Sequence, residues 1–340
     1  MKKPLLLIIL LVGSISLGVA QAKYQQRCIA FYNVENLFDT VDDPEKNDEE
    51  FLPDGKKQWG ADRYKKKLDK LSLVLSKLGD EPPAVIGLCE VENKQVVEDL
   101  INTDRLKKYN YKIVHYPSPD RRGIDVALIY RPKYFKVTSS KSYRLVDKNQ
   151  PDFITRDQLL VTGKFDEDEM HLIVNHWPSR YGGKKRSAPR RLLAAKLTRS
   201  IVDSLLNANK NAKLIVMGDL NDNPTDPSLT QGLKAFAKRP KGKNLYNAMA
   251  PLYKKGIGSL CYRDQWYLFD QMILSKALVK GSKSQYRYVS KSAKVYGPDL
   301  LRQKGGRYNG YPDRTYAGRR YLGGFSDHFP VYIYIGKRVK

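Results

Sequence analysis

The stretch Ser326-Asp327-His328-Phe329-Pro330 sets a carboxylate beside an imidazole, just before an alternating apolar run, Val331-Tyr332-Ile333-Tyr334-Ile335. Such a carboxylate can hold a divalent cation, and the adjoining imidazole can take a proton from water. The pair needs partners. The chain places them at the ends of other apolar runs: Asn33, Glu90, His176, Asp219 with Asn221, and Asp270. A hard cation prefers carboxylate oxygens and water, polarises a phosphoryl oxygen and lowers the pKa of bound water. Amides and a second imidazole can donate to oxygens on which charge builds. The set therefore points to metal-assisted hydrolysis.

The elements that must carry these residues are legible as patterns. Cys28 to Val34 reads as a buried strand that delivers Asn33. Ala84 to Glu90 is a continuous apolar run, a strand buried on both faces, ending on a carboxylate. Between them Leu68, Leu71, Leu75 and Leu78 recur at helical spacing with lysines among them, an amphipathic helix laid on a sheet. Asn93 is placed to cap a short helix through Leu100. Further strands are expected at Tyr111–Tyr116, Gly123–Arg131, Val137–Val146 and Gln158–Phe165. Met170 to Trp177 is a strand ending on His176, followed by Arg180 and a basic loop, Gly182-Gly183-Lys184-Lys185-Arg186. Ser187 and Pro189 then open a helix to about Asn207. Leu214 to Met217 feeds Gly218-Asp219-Leu220-Asn221, the most specific local motif, in which Asp219 and Asn221 face the same way. Tyr267 to Ser275 is an apolar strand with Asp270 embedded. A buried carboxylate wants a partner, and His328 is the natural one. Asp125, inside another apolar strand, pairs either with a site cation or with a structural arginine. His115 and His171 read as structural.

Composition sets the outer bounds. Lys2 and Lys3, the apolar run Leu5–Leu11 and Ala20-Gln21-Ala22 form a secretory signal peptide with cleavage after Ala22. Export to a periplasm or to the outside is expected, with no lipid anchor, because no Cys sits at the cleavage point. What remains, residues 23–340, reads as a single domain with no linker, no repeat and no later bilayer-spanning run. The formal charge of +25 favours polyanions: nucleic acid, anionic membrane or phosphorylated glycan. Between Ser284 and Gly324 the chain is rich in Arg, Lys, Gly and Tyr and reads as an insertion. Basic side chains among aromatics suit a phosphate backbone with exposed bases; the alternative is a solvated loop with its tyrosines packed on the domain. Arg180 and Tyr316 are candidate substrate contacts. Three cysteines, Cys28, Cys89 and Cys261, make neither a disulfide framework nor a zinc site and are expected as buried thiols. No protein partner is implied, and a monomer is expected.

The order of motifs is Asn-x-Glu-Asn after the first strand, strand-Glu90, strand-His176, Gly-Asp219-Leu-Asn221, Phe-Asp270-Gln and Ser-Asp327-His328. From Cys28 to Ile335 it resembles the endonuclease/exonuclease/phosphatase family. These are metal-dependent phosphodiesterases that include pancreatic deoxyribonuclease and the exonuclease III-type abasic-site endonucleases. The resemblance implies a four-layer α/β sandwich, two mixed β-sheets packed face to face with helices outside and the site at one end. It implies that Glu90 and Asp327 hold a divalent cation, usually Mg²⁺ with Mn²⁺ or Ca²⁺ as alternatives, and that Asn33 lies close by. Asp219 and Asn221 would position the attacking water and the phosphate. His328, steadied by Asp270, would act as base or bind the phosphate, and His176 would stabilise phosphate oxygens or protonate the leaving group. Cys89 stands where many members carry Gln, and the Tyr-rich segment exceeds the compact linker of the repair enzymes, so their abasic-site specificity is not carried over.

The resulting expectation is an exported phosphodiesterase, foremost an endonuclease acting on DNA or RNA. A phospholipase, sphingomyelinase or sugar or inositol phosphatase would use the same fold. A silent cationic binding module is the alternative of a different class.

Overall fold

Parity along the strands sorts the side chains into layers. In β1 (Tyr24–Leu37), Ile29 and Phe31 enter one apolar core and Ala30 and Tyr32 another. In β2 (Val85–Val91), Val85 and Cys89 join the first core, and Ile86 and Leu88 the second. β3 (Lys112–His115) and β4 (Asp125–Tyr130) extend this sheet on one side. The C-terminal strand Val331–Arg338 extends it on the other. β1 and β2 run parallel, and their other neighbours are antiparallel. These elements come from the computed structural model of the chain, which describes residues 24–339; the signal-peptide reading lies outside them.

A second sheet of seven strands is built on β5 (Phe135–Tyr143), β6 (Gln158–Phe165), β7 (Asp168–His176) and β8 (Leu214–Asp219), then Asp270–Leu274 and two short edge strands. Here too the central pair, β7 and β8, is parallel. Leu172, Val174, Ile215 and Met217 face Phe31 and Cys89 across the inter-sheet core. Ile173, Leu214 and Val216 face outward onto α3 (Lys184–Ala208), while α1 (Ala61–Ser76) and α2 (Lys94–Ile101) cover the outer face of the first sheet. Each fully buried Leu or Ile in these layers contributes about 1.5–3 kcal/mol by leaving water. The result is the expected four-layer α/β sandwich. Among the described residues, no helix is long and apolar enough to cross a membrane.

Four local expectations need correction. First, α3 begins at Lys184, a turn before Ser187, and Pro189 lies inside it. The fully buried Arg191 guanidinium fixes that first turn by donating to the Lys184 and Ser179 carbonyls and to the Ser187 hydroxyl. Second, Asp125 has a histidine and not an arginine as its side-chain partner. It accepts from Ser118 N and meets His115 Nε2, each at 2.9 Å. Third, Asp270 opens its strand instead of lying within it; Gln265–Tyr267 forms a separate hairpin with Leu260–Tyr262. Fourth, the Ser284–Gly324 segment begins as sheet: Arg287–Tyr288 and Lys294–Val295 pair with the C-terminal strand. Two-residue strands carry no readable period. Its tyrosines divide accordingly, Tyr286, Tyr288 and Tyr316 being buried and Tyr308 exposed. The three cysteines are buried and unpaired.

Candidate active site

Register converges the site. Asn33 pairs with Cys89, which brings the following Glu90 beside it. Across the other sheet, His176 pairs with Asp219 and Asp219 with Asp270, a single row over three strands. The row lies where the parallel strands end, and the inter-sheet core brings the two ends together. Gly218 is required by this close approach, since a Cβ there would lie 2.2 Å from the Asn175 carbonyl oxygen. β1 and β2 are also irregular at this end, with register shifts after Asn33 and after Cys89. Glu35, Asn36, Glu90 and Asn221 all take left-handed backbone, φ 51–62°. For non-glycine residues this conformation carries a penalty of roughly 1–2 kcal/mol each. Such bulges re-aim side chains next to active sites, and here they turn Glu90 toward the second sheet.

The hydrogen bonds assign each group an orientation. The Asn33 side-chain oxygen accepts from Glu35 N at 2.9 Å, so its amide nitrogen faces the carboxylates. It donates to Glu90 Oε1 and Asp219 Oδ2, each at 3.1 Å. Asn36 N donates to the other Glu90 oxygen at 3.0 Å. His328 Nδ1 meets Asp270 Oδ2 at 2.7 Å, and the Ser259 hydroxyl donates to the same oxygen at 2.5 Å. Asp219 Oδ1 accepts from Asn221 N at 2.9 Å, and the Asn221 amide donates to the Trp177 carbonyl at 3.0 Å. Asp219 Oδ2 lies 3.8 Å from His176 Nε2 and 3.8 Å from His328 Nε2. Both gaps are too long for a direct hydrogen bond.

The two imidazoles that flank Asp219 titrate in opposite directions. Burial drives His176 well below the usual histidine range, and the nearby Arg156 and Arg122 charges push the same way. Burial opposes charge on His328 too, but Asp270 and Asp219, with the hydrogen bond to Asp270, outweigh it and hold its pKa well above the usual value. Burial pushes Asp219 up to about 7, with the His328 charge resisting and the Asp270 charge adding. In cation-free protein, nitrogen-detected NMR titration should therefore find His328 protonated and His176 neutral at pH 7. The reverse order would refute this electrostatic assignment.

The donor set fits a hard divalent cation. Glu90, His176 and Asp219 offer ligand atoms that all lie within 4.8 Å of one another, as do Asp219, Asp270 and His328. Two carboxylates meet at one amide nitrogen, with no cationic side chain directly paired to either apart from the imidazole contacts at 3.8 Å. The buried Asp270 Oδ1 and His176 Nδ1 have no hydrogen-bond partner. Oxygen-rich coordination of this kind suits Mg²⁺, Mn²⁺ or Ca²⁺ better than softer metals.

Asp327 stands apart from these groups. Its carboxylate pairs with Arg314 at 3.0 Å. Arg180 is engaged as well: it donates to the Asn221 carbonyl at 2.8 Å and pairs with Asp222 and Asp226, so it braces the Gly-Asp-x-Asn turn. The Tyr316 hydroxyl donates to the Lys57 carbonyl at 2.9 Å, and its ring packs against Phe51, Trp59 and Tyr321.

Sequence reasoning missed three supports. Glu35, buried, accepts from Thr315 N at 2.6 Å; burial and the Asp327 charge push it up to about 7 against the pull of Lys67 and Arg314. Lys67 is one of the lysines among the leucines of α1, and it is only 2% exposed. It donates to Thr315 Oγ1 and to the Phe325 carbonyl. Ser259 fixes Asp270. The partners of Glu35 and Lys67 lie about 250 or more residues away, and no local pattern marks them.

Comparison with known proteins places this geometry. The family model described as Endonuclease/Exonuclease/phosphatase family matches residues 28–337. The chain belongs to the endonuclease/exonuclease/phosphatase family. Members are hydrolases acting on phosphoester bonds. No individually curated protein matches the chain. Solved structures share the fold of the family at low identity. One is D. rerio TDP2 complexed with a single-strand DNA product: 17% identical, covering 91% of this chain and 98% of that one, TM-score 0.55. The human Nocturnin catalytic domain with a bound sulfate anion is 16% identical, covering 94% and 98%, TM-score 0.53. A Bacteroides thetaiotaomicron endonuclease/exonuclease/phosphatase family protein is 15% identical, covering 94% and 98%, TM-score 0.54.

Proposed function

We propose that this protein is an exported, divalent-metal-dependent phosphodiesterase that cleaves nucleic acid. The observation that carries the hydrolytic reading is the row His176–Asp219–Asp270, met from the facing sheet by Glu90 and from the C-terminal segment by His328. Glu90 and Asp219 would hold the cation, Mg²⁺ being the preferred one, and when bound it would neutralise charge developing on the phosphoryl oxygens.

The chain's own residues do the rest. Asp219, beside both imidazoles, would orient an attacking water and accept its proton. His328, kept protonated by Asp270, is a charged donor aimed at the same space and suits a non-bridging phosphate oxygen. His176, neutral and buried, is a hydrogen-bonding partner to the phosphate from the other side. Asn33 and Asn36 keep the carboxylates of Glu90 and Asp219 in place.

Nucleic acid is favoured as substrate by the +25 formal charge, and a TDP2 of the same fold is described with single-strand DNA. Export rests on the N-terminal sequence alone. The test is purified protein with Mg²⁺ against plasmid DNA, RNA, sphingomyelin vesicles and a soluble phosphomonoester. Cleavage of DNA or RNA is expected, and turnover of sphingomyelin or the monoester alone would overturn the nuclease reading. A companion measurement uses inert Asp219→Asn protein. Its affinity for DNA or RNA should fall on the order of 10³-fold between 50 and 200 mM salt if about six phosphates are contacted. A flat salt response would contradict a phosphate-backbone ligand.

A further inference from the structure

At the end of the sandwich opposite the hydrolytic centre, the two sheets part around a cavity of about 540 Å³. That volume is within the range of small-ligand sites. Gln26 lines it, and seven residues of β1, roughly 23 Å of extended backbone, separate Gln26 from Asn33.

The cavity exists because small residues meet there. Arg287 pairs across the ladder with Gly336, so no cross-strand side chain covers its guanidinium. Ser290 lines the rim and is exposed. Tyr24, Tyr246, Tyr288 and Arg239 line it as well, with the apolar Ala237, Val279 and Val289. No carboxylate lines it. Among the described residues, neither Arg239 nor Arg287 has a side-chain hydrogen bond or ion pair. Arg239 is exposed and Arg287 partly buried, and both belong to the lining of this one cavity. Tyr246 and Tyr288 rings lie 6.0 Å apart, tilted at 49°. Tyr24 is half exposed and adds a third aromatic ring.

We infer that this cavity is a second ligand site, built for a small molecule that joins a phosphate to a flat ring, as a nucleoside monophosphate does. Two unpaired guanidiniums supply the forked donors that a phosphate accepts from, and the tyrosines supply surface for the ring. The inference does not depend on the hydrolytic reading, because none of these residues belongs to that centre.

The probe is AMP, titrated calorimetrically into Asp219→Asn protein, with adenosine and inorganic phosphate as controls. AMP should bind at one site, more tightly than either control. Arg239→Gln with Arg287→Gln should weaken it at least ~10-fold, the scale of losing one charged hydrogen bond. Ser290→Trp, at an exposed rim position, should block it independently. Without the Asp219 change, the arginine variant should hydrolyse substrate at the unaltered rate. No AMP binding, AMP no tighter than phosphate, or affinity untouched by the arginine and Ser290 variants would overturn the site. Affinity lost instead on His328→Ala would move the ligand to the hydrolytic centre and overturn it equally.

Discussion

His328→Ala should lower turnover by about 10²–10³, the loss expected when one charged donor to a developing oxyanion is removed. Asp270→Asn should lower it by most of the same amount, and the double variant should be scarcely worse than His328→Ala alone. The physical reason is that Asp270 acts only through His328. Its Oδ2 sits 2.7 Å from the ring nitrogen, and the residue is fully buried with no cationic side chain other than His328 against it. Residues that act as a unit give strongly non-additive losses. Steady-state kinetics of the three variants measure this. Multiplicative losses would mean that the two residues work independently, and the protonated His328 would lose its explanation.

The second large effect belongs to the carboxylates. Asp219→Asn should reduce turnover by about 10²–10⁴, the range for removing a general base, and more if its cation is lost as well. Glu90→Gln preserves volume and removes charge, so it should raise the cation concentration needed for half-maximal rate as well as lower the rate. Neither change should weaken the fold by the same measure, because burial already disfavours the ionised form of Asp219. Thermal melts and Mg²⁺ titrations of both variants check the two halves of the claim. Unchanged Mg²⁺ dependence in Glu90→Gln would remove it from the cation's surroundings.

What was legible in the sequence was local or strictly periodic. The apolar runs Cys28–Val34 and Ala84–Glu90 marked buried strands, and Gly218-Asp219-Leu220-Asn221 marked a strand exit because its chemistry is contiguous. The Asp270–His328 contact was readable from need alone, since a carboxylate in an apolar context requires a partner. The same logic failed for Asp125, whose partner, His115, is reached only across an antiparallel ladder. The Arg314 partner of Asp327, thirteen residues earlier in an irregular segment, carried no local signal either. The burial of Lys67 was not legible, because the leucine stripe of a helix marks only its apolar face. A long side chain can bury its stem and still satisfy its ammonium on loop carbonyls. The acids around Arg180 and the aromatics around Tyr316 come together only in three dimensions.

The central claim is that a cation held at Glu90 and Asp219 makes this centre a phosphodiesterase. The most direct test is cleavage of an end-labelled single-stranded DNA or RNA oligonucleotide by chelator-treated protein as Mg²⁺ is returned. Cleavage should be absent without cation and should rise to saturation with Mg²⁺. Full cleavage in excess chelator, or none at any Mg²⁺ or Mn²⁺ concentration, would contradict it.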